Sequence, residues 1–453
     1  MEAFRMNAAL GKESLAWLTN PRVFRWLLLA ILVALSVQYT LKVMEPSRLG
    51  TYTKGAFNRW VDQIRLGVEG GEDIYAKFNY PNPPIMALIL WPITELEAQI
   101  PVAGALTWFY LKVAMVFWCL TAVFRQVSSP NFPIPAWACA LATLLSIRPI
   151  LGDLSHGNIN IFILFLVVAG LVAFSRGRDF LAGLFIALAV TCKVTPALFL
   201  VYFAWKGAWR TLLGATVGLI LFFLIIPGAI LGWSENIRNL GSWFDGMIKP
   251  YLTGAFVTSE LSNQSLPGVI YRLLTHSPST VIFPDNVYTP DKFYNFTDIG
   301  AQNAQYLIKG IMGLFALLVV WFCRSPIKTN RQSHLLWPEF ALIAIGMLVF
   351  SERTWKHHCV TLLLPNSVLC YALAKPELTR RRKKNIAYCL VASQLFMFST
   401  STGVFPDSYG KMAQVYGAYV GSFFCLIAGL VVVRYPIRTA AVQQSPQPLP
   451  RAA

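Results

Sequence analysis

Long apolar stretches separated by shorter polar ones dominate the chain. A helix needs about 20 mainly apolar residues to cross a bilayer. Stretches near that length recur at 23–43, 101–124, 134–151, 158–175, 209–232, 303–323, 335–350, 359–374, 385–403 and 411–434. Residues 179–205 are also apolar, except around Thr191-Cys192-Lys193-Val194-Thr195-Pro196, where a charge and a helix breaker interrupt the middle. As one crossing, this segment would hold Lys193 near the bilayer centre at a cost of about 2.5–3.5 kcal/mol. It would also carry Arg380-Arg381-Arg382-Lys383-Lys384 to the side opposite the basic N-terminal segment, against the preference of Lys and Arg for cytoplasmic loops. Two half-spans turning at Lys193 to Pro196 remove both conflicts, because irregular backbone is tolerated at membrane depth where it lines a cavity. The pattern predicts an all-α polytopic membrane protein with about 10–12 transmembrane helices, including a broken helical hairpin.

In this arrangement both termini are cytoplasmic and the large polar segments share the outer face. They are the loops at 44–100 and 233–302, the turn from Gly152 to Gly157, the Lys193 turn, and Ser351 to His358. Residues 1–438 are expected to form one transmembrane domain, and 439–453 a disordered cytoplasmic tail. The first apolar run lacks a small-residue cleavage site and is expected to be a retained span. Composition agrees: 56% of the 453 residues are hydrophobic and 13% charged, against about 45–50% and about 25% in soluble chains. A net charge of +17 could suggest nucleic acid. Nearly all of it falls on the cytoplasmic segments, however, so it orients the protein in a plasma (inner) membrane, and no nucleic-acid partner is expected. The eight cysteines lie within or beside apolar runs without a CxxC pair, which predicts no disulfide framework.

Chemistry is therefore sought on the outer segments. Phe57, Trp60, Val61, Ile64 and Val68 recur at spacings of three and four, which predicts an amphipathic interfacial helix. On it, Asp62 either pairs with Arg59 or Arg65 or serves as a general base. Next come Gly71-Glu72-Asp73-Ile74-Tyr75 and Phe78-Asn79-Tyr80-Pro81-Asn82-Pro83-Pro84, whose prolines make a rigid loop with Tyr80 as a candidate substrate contact. In Ser155-His156-Gly157-Asn158-Ile159-Asn160, Asn158 can cap the next helix, or the helix N-terminus can face an anion. Lys193 is either an interfacial anchor or a cation for a phosphate at the bilayer surface. Ser351 to His358 contributes Arg353, His357 and His358. Neighbouring histidines on a helix diverge by about 100°, so no metal is expected and one of the pair is assigned to a phosphate or sugar hydroxyl. Asn263 and Gln264 could read sugar hydroxyls or simply form a turn before the interfacial pattern Val269 to Leu274.

Together these stretches resemble glycosyltransferase family 87, polyprenyl-phosphate-dependent, mannosyltransferase-like membrane enzymes with the GT-C fold. The matching segments are Asp62 in its helix, GEDIY, FNYPNPP, HGNIN, GRDFLAGLFIALAVTCKVTPALFL, Trp209-Arg210, NQSLPGVIYRLL and WKHHCVTLLLP. The resemblance implies a GT-C-like fold and an inverting transfer of a hexosyl, mannosyl by preference, residue. The donor would be a polyprenyl-phosphate sugar, the acceptor a lipid or glycan hydroxyl at the outer face, and no cofactor is implied. Asp62 would be the base, with Lys193, His357 and His358 neutralising the departing lipid phosphate. The chain departs from the family's usual YPP at Tyr80-Pro81-Asn82 and from GQxN at Gly157-Asn158-Ile159-Asn160. Two other readings remain at this point: a transporter or flippase for a lipid-linked sugar, and a non-catalytic scaffold.

Overall fold

Hydropathy and turn chemistry translate into a succession of helices and one small hairpin among the described residues. A computed structural model describes residues 21–44, 55–253, 257–282, 284, 288–327, 331 and 333–434. The tail predicted at 439–453 lies outside them. Helix α1 (Pro21–Val43) precedes a polar segment that holds α2 (Ala56–Val68), α3 (Ile74–Phe78) and α4 (Pro84–Gln99). Helices α5 (Ala103–Val127), α6 (Ala136–His156), α7 (Asn160–Ser175), α8 (Asp179–Cys192) and α9 (Ala197–Trp205) follow. Helix α10 (Trp209–Leu231) leads to a second polar segment, with α11 (Trp233–Trp243), α12 (Leu266–Leu274) and the antiparallel pair β1 (Thr280–Ile282) and β2 (Thr289–Lys292). The chain closes with α13 (Gly300–Phe322), α14 (Ser333–Val349), α15 (Lys356–Ala374), α16 (Arg380–Ser399), α17 (Asp407–Val415) and α18 (Ala418–Arg434).

Among the described residues, six helices are long and apolar enough to cross a membrane: the Arg22–Leu41 part of α1, α5, α6, α10, α13 and α15. The α17 and α18 pair would add a seventh, bent by 60°, and α7, α8 and most of α14 are shorter apolar helices. Helix α7 is buried along almost its whole length, and 83% of α15 is buried, so these two form the centre of an all-α membrane bundle. Helix α4 packs on α2, where Arg65 Nε donates to Glu95 at 2.6 Å, and it turns at once into α5. The Glu97 carboxylate accepts the N–H groups of Val102 (2.9 Å) and Ala105 (2.8 Å) at that corner.

Close packing of small residues identifies the hairpin. A Cβ on Gly183 of α8 would sit 2.1 Å from the Thr211 carbonyl oxygen, and one on Gly214 of α10 would sit 2.2 Å from that of Phe180. Farther along, a Cβ on Gly218 would come within 2.6 Å of the Ala187 Cβ. Early residues thus meet early ones and late meet late, so α8 and α10 run in the same direction with backbones in direct contact, as small residues permit in membranes. The short α9 between them must run back. The chain therefore reverses at Lys193 to Pro196, in accord with the broken hairpin expected from the sequence.

Candidate active site

A cavity of about 880 Å³ opens at the bundle end where α8 stops and α7 and α15 begin. Polar groups on its wall include Arg59 and Gln63 of α2, Asn82, Asn158, Lys193, Glu352, Arg353 and His358. Apolar wall residues include Leu198, Val201, Trp243, Met247, Tyr251 and Met347. A chamber with several cations above long apolar walls suits a charged head group on an aliphatic chain.

Lys193 reaches the wall because the helix stops there, and its placement rests on a chain of buried polar contacts. Its Nζ donates to Asn160 Oδ1 at 2.6 Å. Asn160 is held in turn by Asp153, whose Oδ2 accepts Asn160 N (3.1 Å) and Nδ2 (2.9 Å), while Oδ1 receives Ile161 N at 3.4 Å. Asp153 is paired at 3.4 Å with Lys112, and neither side chain has any exposed surface. Lys112 also donates to the carbonyls of Asp153 (2.7 Å) and Asn158 (3.1 Å). The capping expected of Asn158 is thus performed by Asp153. With its first N–H groups taken, the α7 N-terminus is not open to an anion.

Gly157 joins α6 to α7 at φ +65°, a left-handed conformation that suits glycine, and a Cβ there would lie 2.8 Å from the Phe57 Cβ. Helix α2 is thereby seated on this turn, with Phe57, Trp60, Val61 and Ile64 buried as the apolar spacing predicted. Its opposite face gives Arg59 and Gln63 to the cavity. Asp62 stands about 60° around the helix from Arg59, exposed, and not on the cavity wall. No hydrogen bond or ion pair ties it to another described residue, since Arg65 pairs with Glu95 and Glu69 instead.

The two histidines divide. His358 is on the wall, and its Nδ1 donates to the Arg353 carbonyl at 3.2 Å, so a neutral ring offers the lone pair of Nε2. His357 is buried behind it and shares a 3.1 Å hydrogen bond with Asn158 Nδ2. Arg353 is half-exposed over the Trp355 ring and donates to Thr258 Oγ1 at 2.7 Å. Glu352 accepts from the same hydroxyl at 2.6 Å.

Besides Asp62 and His357, three further sequence candidates are located away from the cavity wall. Tyr80 is fully buried, edge-on to Trp60 and Tyr75. Asn263 donates to the carbonyls of Thr258 (2.7 Å) and Glu352 (2.8 Å) and accepts Thr354 N (2.9 Å). Gln264 donates to the carbonyls of Leu261 (2.7 Å) and Gln414 (2.8 Å). Both amides are fully buried and order the loop that carries Glu352 and Arg353. Beside them Arg272, also fully buried, donates to four backbone carbonyls, of Val415, Ser259, Glu260 and Asn263. Burial pushes its pKa down to about 9.

Sequence reasoning missed Lys112, Asp153, Asn160, Arg59, Gln63 and Glu352. Lys112 interrupts the apolar run 101–124 just as Lys193 interrupts its own, and an ionisable residue inside a membrane segment is by default a functional candidate. That signal was present. Among the described residues, no group of three or more His, Cys, Asp or Glu gathers where it could hold a metal ion.

The profile of glycosyltransferase family 87 matches residues 80–351. Over 393 residues the chain is 25% identical to a polyprenol-phosphate-mannose-dependent alpha-(1-2)-phosphatidylinositol mannoside mannosyltransferase of Mycolicibacterium smegmatis, covering 83% of this chain and 78% of that protein. A protein of the same name from Mycobacterium tuberculosis is 24% identical over 441 residues, covering 93% and 92%. A phosphatidylinositol pentamannoside mannosyltransferase of M. tuberculosis is 23% identical over 295 residues, covering 64% and 58%. No solved structure matches.

Proposed function

Because this chain belongs to glycosyltransferase family 87, we propose that its cavity transfers a mannosyl residue from a polyprenyl-phosphate donor to a hydroxyl of a lipid or glycan acceptor. The observation that carries this reading is Lys193, a cation presented to an apolar-walled chamber by the break between two half-helices. The donor's phosphate lies against Lys193, Arg353 and Arg59, and its polyprenyl chain runs along Leu198, Val201, Met247 and Met347. The names of the relatives, which specify polyprenol-phosphate-mannose dependence and phosphatidylinositol mannoside acceptors, support the donor and the acceptor class.

In the transfer, the acceptor oxygen attacks the anomeric carbon as the bond from that carbon to the phosphate oxygen breaks. The bonding electrons leave with the phosphate, and the configuration inverts. Lys193 and the arginines stabilise the negative charge on the leaving group, a preorganised electrostatic effect that is commonly the largest catalytic contribution. Asp62, exposed beside the wall residue Arg59 and not itself on the wall, takes the hydroxyl proton, and no ion pair to another described residue engages its carboxylate. His358 Nε2 accepts a hydrogen bond from a sugar hydroxyl, and His357 holds Asn158 behind it.

The active end is assigned to the outer face of a plasma membrane. Arg176, Lys206, Arg331, Arg380 to Lys384 and Arg434 all lie at or near the opposite end of their helices, where cytoplasmic cations belong.

Asp62→Asn, an isosteric exchange at an exposed position, should lower transfer by about 10²–10⁴-fold, the usual contribution of a general base, with folding unchanged. Glu352→Gln is the comparison, because Glu352 is the carboxylate on the wall. A loss for Glu352→Gln larger than for Asp62→Asn, measured with labelled lipid-linked mannose, would move the base to Glu352.

A further inference from the structure

A second cavity, of about 550 Å³, opens at the other end of the bundle between α1, α5 and α7. Four of its lining residues are arginines: Arg22 and Arg25 on α1, Arg125 near the end of α5, and Arg176 just after α7. None of the described lining residues is acidic. Trp26 and Trp118 complete the wall and are 71% and 37% exposed on the outside of the bundle.

From this geometry we infer that the second cavity binds the headgroup of an anionic membrane phospholipid. Three observations converge. Cations at this end follow from membrane orientation, but orientation asks only for positive loops; it does not require the guanidinium groups of Arg25, Arg125 and Arg176, brought from three separate helices, to meet at one concavity with no carboxylate among its described lining residues. The neighbouring cations at the same end differ from Arg25, Arg125 and Arg176: Arg331 pairs with Asp179, and Arg434 and Lys206 with Glu339. Two of the arginines also stand in the first turns of α1, which has no acidic residue there, and cations at a helix N-terminus oppose its dipole. Finally, only 17% of the α1 span is buried, so the cavity is open sideways to lipid and its two exposed indoles suit the headgroup level. Basic pockets between transmembrane helices on the cytoplasmic side are a known physical solution for multiply charged headgroups. From Lys112 at the catalytic cavity to Arg125 the helix rises about 20 Å, so this site is separate from the transfer reaction.

The test uses the purified full-length protein in neutral detergent, with phosphatidylglycerol as the probe and retention read by native mass spectrometry. Replacing Arg25, Arg125 and Arg176 singly by Gln should weaken retention by about fivefold each, the worth of one cation near an anionic membrane surface. The same exchange at Arg380, Arg381 and Arg382 should leave it within twofold. Equal losses from both sets would overturn the site in favour of general surface charge. Should an arginine variant fail to fold, Thr121→Trp, which fills the cavity and keeps every charge, must also release the lipid; undiminished retention would overturn the proposal. Inorganic phosphate competing as well as phosphatidylglycerol, mole for mole, would show a free-anion site and likewise refute a lipid site.

Discussion

Two buried lysine–carboxylate pairs hold this bundle, one near each end, and they are built from the same parts. At the cavity end Lys112 meets Asp153 at 3.4 Å and donates to two backbone carbonyls. At the other end Lys206 meets Glu339 at 2.8 Å and donates to the carbonyls of Cys323 (2.9 Å) and Ser325 (2.5 Å). The difference lies in what else each carboxylate holds. Glu339 accepts the Tyr202 hydroxyl at 2.9 Å and faces Arg434 at 3.7 Å, and Arg434 donates to the Ser325 hydroxyl. Asp153 fixes the start of α7 and, through Asn160, the Lys193 ammonium at the cavity wall. A buried ion pair is weak evidence for stability on its own. What distinguishes these two is reach: one only joins helices, whereas the other also holds a cationic side chain at the cavity wall.

The largest expected effect is from Asp153→Leu, which strands the Lys112 charge and removes the cap of α7. The loss should be on the order of 5 kcal/mol, combining a broken buried pair with a lost helix cap, and would be read as lower yield and lower denaturation temperature in detergent. Glu339→Leu should cost somewhat less, about 3–5 kcal/mol. The double changes separate the roles. Lys206→Met with Glu339→Leu should return stability close to the parent, since apolar replacement of a buried pair is often neutral, and transfer should survive. Lys112→Met with Asp153→Leu should regain only part of the stability and lose transfer. Equal activity in the two doubles would erase the distinction drawn between the ends.

Much of this fold was legible because membrane segments obey few rules. Lys193 and Pro196 predicted the reversal, and the three- and four-residue spacing from Phe57 to Val68 predicted α2. The cavity was less so. Asn263 and Gln264 have side chains able to read sugars, but only their burial and their distant partners, Glu352 and Gln414, reveal them as loop supports. The His357 and His358 pair could not be divided from adjacency alone; Asn158, 199 residues from His357, decides it. Asp153 was passed over because its capping partners follow it by seven and eight residues across the Gly157 turn, outside the usual cap spacing.

A milder variant isolates the single link between the pair and the wall. Asn160→Leu leaves Lys112 and Asp153 together but frees Lys193 Nζ. Stability should fall by about 1–3 kcal/mol, the cost of unpairing one buried polar contact. Transfer should drop by about tenfold, since misplacing a catalytic group by 1 Å from a distance can cost up to 10²-fold. If the loss appeared in stability and not in transfer, Lys193 would need no aiming, and the cavity-end pair would be only a joint.

The smallest effect belongs to an anchor that water reaches. Asp73 caps α3, accepting Tyr75 N and Ala76 N at 3.0 Å each, and its other oxygen takes the Ser242 hydroxyl at 2.5 Å, which ties α3 to α11. Partial burial opposes its ionisation, but the Ser242 hydroxyl, the two backbone N–H groups and Arg238 prevail, so its pKa lies below the ordinary carboxylate value. A lowered folded-state pKa means that the stabilisation is complete above the unfolded carboxylate's pKa and is lost as pH falls through the folded value. Asp73→Ala should therefore cost about 1 kcal/mol near neutrality, as a lost N-cap does, and the gap from the parent should close in acid. The half-buried anchor must then be worth a small fraction of either fully buried pair. A cost for Asp73→Ala that matched Asp153→Leu, or that persisted unchanged into acid, would mean that burial does not set the scale on which these anchors differ.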